Sequence, residues 1–279
     1  MELIMQFGSA AWGFRETPLE QQLAITRELG LSFLELGVAG HENDFLQVDA
    51  TAEQLSRVGE LFQRYGVSLR AVSTGNDFTQ ADESACKTDL EKIMHVTALA
   101  EALGARTLRI FAGFSPAEEV TGARWKRMVS CLNEAVEHAS RHGVTLAVET
   151  HGGVKSVPGG IAHFHSTSTR PELLTRWLGE VSPKARLLFD PANLGAVGMN
   201  EAEILALYRQ LQPQIAVFHL KDFKRISPTA IQPCACGEGM LDWTQLMAGF
   251  RAFEGIGFLE YEMTGDIVDG LKRTLKAIA

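Results

Sequence analysis

Four short apolar segments in the second half of the chain end in side chains that can ligate a metal ion. "TLAVE" ends in Glu149, "LLFD" ends in Asp190, "AVFH" ends in His219, and "FLEYE" carries Glu260 and Glu262. If these segments are neighbouring strands, their ends bring three carboxylates and one imidazole together. Burying such groups without a partner costs several kcal/mol, and the carboxylates repel one another. A divalent cation among them would remove that conflict.

The types of these side chains also indicate which cation would bind. Carboxylate oxygens with one imidazole favour Mn²⁺, Mg²⁺ or Co²⁺ over a thiolate-binding metal, with Zn²⁺ as an alternative. Taken singly, each residue has an ordinary structural explanation: Asp190 could cap a helix, and His219 could be a core residue. Four successive segments with the same kind of ending favour a site with one divalent metal.

The chain alternates between short β-like segments and longer amphipathic helices, many of which close with a glycine before the next strand. This alternation predicts an α/β fold, a single-domain (β/α)8 TIM barrel over residues 1–279. An open doubly wound sheet is the alternative, but the chain lacks the G-x-G-x-x-G turn that such a sheet usually has. The predicted strands are Ile4–Ser9, Phe33–Leu36, Ser68–Ser73, Thr107–Phe111, Thr145–Glu149, Leu187–Asp190, Ala216–His219 and Phe258–Glu262.

Composition excludes several other classes of function. The formal net charge is −8, which disfavours nucleic acid as a partner. We expect no membrane association, because no apolar run approaches the roughly 20 residues of a membrane span. The N-terminal residues lack the basic start of a signal peptide, and four cysteines do not form a disulfide framework. These features predict a cytoplasmic protein, and they are compatible with a homo-oligomer.

Several longer motifs resemble the sugar phosphate isomerase/epimerase family, the xylose-isomerase-like TIM barrels. The likeness runs nearly end to end, through "ELGLSFLEL", "ALGARTLRIFAG", "GVTLAVETHGG", "LLFDPANLG", "VFHLKDF", "GEGMLDW" and "GFLEYE". The resemblance implies one divalent metal held by Glu149, Asp190, His219 and Glu260. We choose Glu260 over Glu262 because family members place the ligand first in such an ending.

The chain departs from the family pattern at one position. Asn193 stands three residues after Asp190, where many relatives have a histidine, and the Asp-x-His pair of the AP-endonuclease branch is missing. A three-metal DNA-repair site is therefore disfavoured. Asn193 can still form a hydrogen bond with a sugar hydroxyl.

The resemblance implies a metal-dependent isomerase or epimerase of a keto or aldo sugar or a related polyol, which moves a proton through an enediolate. Glu149 and Glu260 would be the catalytic carboxylates that remove and return the proton. A dehydratase of 3-dehydroshikimate is the main alternative, because cationic side chains would suit its acidic, hydroxy-acid substrate. A non-catalytic binding barrel is less favoured. The residues expected to contact the small-molecule substrate are Arg109, His151, Asn193, Lys221, Arg225 and Glu262.

Overall fold

The structure is a computed structural model and describes residues 5–263 and 265–279. Its strands are β1 (Gln6–Ser9), β2 (Phe33–Gly37), β3 (Ser68–Ser73), β4 (Thr107–Ile110), β5 (Thr145–Glu149), β6 (Gly153–Val157), β7 (Gly160–Phe164), β8 (Arg186–Phe189), β9 (Ile215–Leu220), β10 (Asp222–Ser227), β11 (Ala230–Cys234) and β12 (Ile256–Leu259). Its helices are α1 (Leu19–Glu28), α2 (Ala52–Tyr65), α3 (Glu83–Ala102), α4 (Gly122–Arg141), α5 (Pro171–Glu180), α6 (Pro191–Ala196), α7 (Glu201–Leu211), α8 (Trp243–Phe250) and α9 (Ile267–Ile278).

Eight strands of the described chain form a closed barrel in the order β1-β12-β9-β8-β5-β4-β3-β2. Neighbouring barrel strands are parallel, and helices connect them along the chain. The predicted single-domain (β/α)8 barrel is therefore confirmed. The first predicted strand began at Ile4, which lies outside the described residues. The last barrel strand ends at Leu259, so Glu260 and Glu262 lie in the segment that follows it.

Helix ends follow the predicted sequence signals at most positions. Thr51 caps α2 in a reciprocal arrangement with Gln54, and Gly66 ends that helix at a φ of 65°. At α1, Pro18 occupies the N-cap position without a side-chain hydrogen bond. The helices pack their apolar faces around the barrel, where most of the buried core lies.

A smaller apolar cluster fills the inside of the barrel. It includes Phe33, Ala147, Leu188, Val217 and Phe258, which come from five barrel strands. This cluster packs the barrel interior, so polar side chains at the strand ends lie above an apolar floor.

Two hairpins after β5 and β9 form a second sheet, which we call the accessory sheet, with the order β10-β11-β7-β6. The hairpins β6-β7 and β10-β11 are antiparallel, and they join where Ile231 pairs with Ile161. None of the strands predicted from the sequence falls in these two hairpins. Both hairpins follow the carboxyl ends of barrel strands, so the accessory sheet lies at the mouth of the barrel.

Candidate metal centre at the barrel mouth

Four strand ends place the predicted ligands at one end of the barrel. Glu149 is the last residue of β5, Asp190 directly follows β8, His219 lies in β9, and Glu260 directly follows β12. These strands are consecutive in the barrel, so their carboxyl ends are adjacent. The parallel barrel therefore positions side chains that are far apart in sequence at a common site.

The four residues form a compact buried cluster, which we call the four-residue cluster. One ligand atom from each residue lies within 4.8 Å of the ligand atoms of the other three. The His219 Nδ1 atom lies 3.5 Å from Glu260 Oε1 and 3.8 Å from Glu149 Oε2. None of the four residues is more than 3% exposed. The spacing and burial suit a single small cation with oxygen and nitrogen ligands.

Two atoms of this cluster show that the residues fit a cation. Within the described part of the chain, Asp190 Oδ2 and His219 Nδ1 are buried and have no hydrogen-bond partner. Buried polar atoms usually have such a partner, and a cation would satisfy both of these. Asp190 also caps α6, because its Oδ1 atom accepts a hydrogen bond of 3.0 Å from the backbone N–H of Asn193. One carboxylate oxygen thus holds the helix, and the other faces the cluster, where Lys221 Nζ lies 3.2 Å away as an ion-pair partner.

The pKa shifts of Asp190 and His219 show that the cluster favours an additional positive charge. Burial raises the pKa of Asp190 to about 7, although the Lys221 charge opposes this shift. Burial lowers the pKa of His219, but the charges of Glu260, Glu35 and Glu149 outweigh it and hold that pKa well above its ordinary value. Without a metal, His219 is therefore protonated on both ring nitrogens and positively charged. A metal ion would replace the proton on Nδ1.

Lys221 provides a second positive charge beside the cluster. Its Nζ atom lies 2.6 Å from Glu260 Oε2, 2.9 Å from Glu262 Oε1 and 3.2 Å from Asp190 Oδ2. Burial lowers the pKa of Lys221, but the surrounding carboxylates outweigh this effect and raise that pKa well above its usual value. The side chain is therefore an ammonium group, held at the edge of the cavity.

Arg109 and Asn193 hold Glu149 from two sides. Arg109 Nε lies 3.3 Å from Glu149 Oε2, and its guanidinium group stacks on Phe111 at 4.4 Å from the ring centre. Asn193 Nδ2 donates a hydrogen bond of 3.0 Å to Glu149 Oε1. Asn193 was expected to bind a sugar hydroxyl, but the structure buries it completely and directs its amide to the carboxylate.

A cavity of about 540 Å³ opens above the cluster. Its polar lining includes Glu149, Glu260, Glu262, Arg109, Lys221 and His151, and its apolar lining includes Trp12, Phe111, Phe114, Val154, Ile161, Phe223 and Pro233. Several of the apolar residues come from the accessory sheet. The volume is in the range of small-molecule sites, and the polar groups converge at one end.

His151 is held in this cavity as a neutral side chain. Burial lowers its pKa to about 3, and its Nδ1 atom lies 2.6 Å from the Gly152 carbonyl oxygen. Phe111 and Phe114 pack edge-on against its ring. The neutral ring donates its single proton from Nδ1 to that carbonyl, so Nε2 can only accept a hydrogen bond from a substrate group, and the imidazole carries no charge at neutral pH.

Arg225 is a second predicted substrate contact, after Asn193, that does not line the cavity. It lies on β10 with an exposed side chain, and Nη1 donates to the Pro228 carbonyl oxygen. Neighbouring residues on a strand point to opposite faces, so its position in the sequence did not specify the direction of its side chain. Arg225 is therefore removed from the set of candidate substrate contacts.

Two residues at the site were missed in the sequence. Glu35 on β2 is fully buried and lies 3.2 Å from His219 Nε2. His163 on β7 lines the cavity beside Phe223, at 5.1 Å between ring centres. Glu35 interrupts the apolar run "FLEL" of a strand, which is the signal that identified Glu149. His163 gives no comparable signal, because its hairpin was not predicted.

The fold and the strand-end cluster define a TIM barrel with a candidate divalent-metal centre. A profile of the xylose isomerase-like TIM barrel family matches residues 23–279, and the chain belongs to this family. The predicted family is thus confirmed. No curated protein sequence matches the chain significantly. None of the described helices is long and apolar enough to cross a membrane.

Solved structures of related folds superpose over nearly the whole chain. The probable 3-DHS dehydratase AsbF of Bacillus anthracis has 17% identity and a TM-score of 0.78, over 98% of both chains. The IolI protein with a bound zinc atom has 17% identity and a TM-score of 0.75, over 98% of both chains. An L-ribulose 3-epimerase has 17% identity and a TM-score of 0.72, over 99% of this chain and 93% of the other. At this identity, the similarity shows the fold.

Proposed function

We propose that this protein is a divalent-metal-dependent isomerase or epimerase of a keto or aldo sugar or a related polyol. The observation that carries the proposal is the pair of carboxylates, Glu149 and Glu260, which border one cavity and belong to the four-residue cluster. The carbon next to a carbonyl carries an acidic proton, which one carboxylate can remove and another can return. Structures of sugar epimerases with this fold support the same chemistry.

The metal would be held by the four-residue cluster, and it would stabilise negative charge on the substrate oxygens. We expect Mn²⁺, Mg²⁺ or Co²⁺, while the zinc-containing IolI structure makes Zn²⁺ an alternative.

Glu260 is held in the site as an ionised carboxylate. Burial raises its pKa, but the charges of Lys221 and His219 outweigh it and hold that pKa well below the ordinary value. The carboxylate is therefore ionised at neutral pH and able to accept a proton. Lys221 Nζ donates a hydrogen bond of 2.6 Å to the same carboxylate.

Glu149 occupies the other side of the proposed proton transfer. Arg109 and Asn193 contact its two oxygens, which fixes the direction of the carboxylate. Apolar residues of the accessory sheet line the same cavity, together with Phe111 and Phe114.

The test is exchange of deuterium from solvent into the carbon next to the carbonyl. The Mn²⁺-loaded protein is incubated in D₂O with a panel of keto sugars, and incorporation is followed by NMR. We expect incorporation with at least one sugar, and loss of it in both Glu149→Gln and Glu260→Gln when metal is saturating. Arg225→Ala is the control, because its side chain lies outside the cavity. Near-normal exchange with either glutamate replaced would contradict the two-carboxylate mechanism.

A second candidate function is the dehydration of a hydroxy acid such as 3-dehydroshikimate. Arg109 and Lys221 place two buried cationic groups at the cavity, and these would suit a substrate carboxylate. The structural similarity to the probable 3-DHS dehydratase supports this alternative. Product formation from 3-dehydroshikimate, measured by absorbance, would favour it over the isomerase. Cytoplasmic location and homo-oligomerisation stay predictions from the sequence.

A further inference from the structure

Glu35 is a carboxylate inside the barrel that lies outside the four-residue cluster. It lies on β2, with side chain and backbone fully buried, between the apolar residues Leu34 and Leu36. A buried carboxylate is costly unless hydrogen bonds or charges stabilise it. Its contacts therefore indicate why the chain places an acid at this position.

Both contacts of Glu35 converge on one oxygen. Oε2 accepts a hydrogen bond of 3.1 Å from the Ala11 amide and one of 3.2 Å from His219 Nε2. Among the described residues, the other oxygen, Oε1, has no hydrogen-bond partner. The strand β2 is separated from β9 by two other barrel strands, so Glu35 reaches His219 across the barrel interior.

The two nitrogens of His219 face different groups. Nδ1 lies 3.5 Å from Glu260 Oε1 and 3.8 Å from Glu149 Oε2, whereas Nε2 lies 3.2 Å from Glu35 Oε2. An ionised carboxylate only accepts hydrogen bonds, so it requires a proton on Nε2. The Nδ1 atom, on the cluster side, then offers the lone pair that a metal ligand needs.

We propose that Glu35 is a positioning residue, which fixes the tautomer and the ring orientation of His219 so that Nδ1 points to the metal. The inference rests on the proposed metal centre. A carboxylate that accepts from the second ring nitrogen also makes the imidazole a stronger ligand, and removing such a partner commonly weakens metal binding by about 10- to 100-fold.

The same oxygen also connects the metal centre to the rim of the cavity. The Ala11 amide is followed directly by Trp12, and Trp12 and Arg15 line the cavity. Arg15 Nη2 donates to the backbone carbonyl of Glu262 at 3.1 Å. Glu35 therefore contacts both the ligand histidine and the start of the segment 11–15, which lies at the rim of the cavity.

The test compares two variants of Glu35 by their affinity for Zn²⁺ alone, measured by competition with a chromophoric chelator. Glu35→Leu leaves His219 Nε2 without its acceptor, and we expect binding about 10- to 100-fold weaker than wild type. Glu35→Gln keeps an acceptor oxygen but removes the charge, so we expect its Zn²⁺ affinity to lie between those of wild type and Glu35→Leu. Thr26→Val is the matched control, because it removes a buried hydrogen bond of 3.0 Å to Ser9 without contacting His219.

A second readout separates positioning from a general loss of structure. In Zn²⁺-loaded protein labelled with ¹⁵N-histidine, wild type should show a protonated Nε2 for His219, assigned by its absence in His219→Gln. Glu35→Gln should retain this signal and Glu35→Leu should lose or shift it. If Glu35→Leu does not fold, the test uses Glu35→Gln alone. A Zn²⁺ affinity weaker than that of wild type then supports the positioning role.

Three results would overturn the inference in distinguishable ways. If wild type binds no Zn²⁺, the metal centre itself fails and the role of Glu35 fails with it. If wild type binds Zn²⁺ and the Glu35 variants bind it within about twofold, the positioning role alone fails. If Thr26→Val weakens binding as much as Glu35→Leu, the effect is one of general packing.

Discussion

Lys221 offers the most quantitative test of the charges at the barrel mouth. Its ammonium group lies within 3.2 Å of oxygens from Asp190, Glu260 and Glu262. Lys221→Met keeps a side chain of similar length and removes the charge. Removing one partner of a buried ion pair commonly costs about 3 to 5 kcal/mol, because the remaining charges stay buried without compensation. We expect the metal-free variant to lose stability in this range.

A bound metal should reduce that loss. A divalent cation in the four-residue cluster supplies positive charge to Asp190 and Glu260, which Lys221→Met leaves uncompensated. Mn²⁺ should therefore stabilise the variant more than it stabilises wild type. The difference between the two proteins should be largest in chelator and smaller in saturating Mn²⁺.

The assay is urea unfolding followed by circular dichroism, in chelator and in saturating Mn²⁺. Lys224→Met is the matched control, because Lys224 is exposed and its loss should change the free energy of unfolding by no more than about 0.5 kcal/mol. A free energy of unfolding for Lys221→Met within about 1 kcal/mol of wild type in chelator would refute the buried ion-pair reasoning. Equal stabilisation of both proteins by Mn²⁺ would refute the compensation by metal.

Three further predictions follow from single side chains. Glu260→Gln should weaken Mn²⁺ binding more than Glu262→Gln in a calorimetric titration, because only Glu260 belongs to the four-residue cluster; the reverse order would contradict this assignment. Burial lowers the pKa of His163 to about 3, so the folded state keeps its imidazole neutral while the unfolded state takes up a proton below 6.5. The free energy of unfolding should therefore fall as the pH decreases, by about 2 kcal/mol over the first two pH units below 6.5. Unfolding curves in acid should show that His163→Phe lacks this contribution to the pH dependence. Arg225→Ala should leave kcat and KM unchanged, and a raised KM would show that Arg225 reaches the substrate.

The barrel and its four strand-end residues could be predicted from the sequence because their signals are local. Each of Glu149, Asp190, His219 and Glu260 stands at the end of an apolar β-forming run, and a parallel barrel brings such ends together. Helix boundaries such as Thr51 and Gly66 are likewise set by neighbouring residues. These features require no knowledge of long-range contacts beyond the closure of the barrel.

The remaining features depend on contacts that sequence spacing does not specify. The accessory sheet joins two hairpins that are far apart in the chain, and among the described residues Ile161 and Ile231 form the strand pairing between them. Glu35 contacts His219 across the barrel, over a separation of 184 residues. Arg225 was expected to contact the substrate, but the direction of a side chain on a hairpin depends on the register of that hairpin.

The central claim is that Glu149, Asp190, His219 and Glu260 bind one divalent metal ion. The most direct measurement is an anomalous difference map from a crystal of the wild-type protein soaked in Mn²⁺. We expect one peak in each chain, at bonding distance from all four residues, and loss of the peak in Asp190→Ala. A map without a peak among these four side chains, or with the Mn²⁺ bound elsewhere, would contradict the claim.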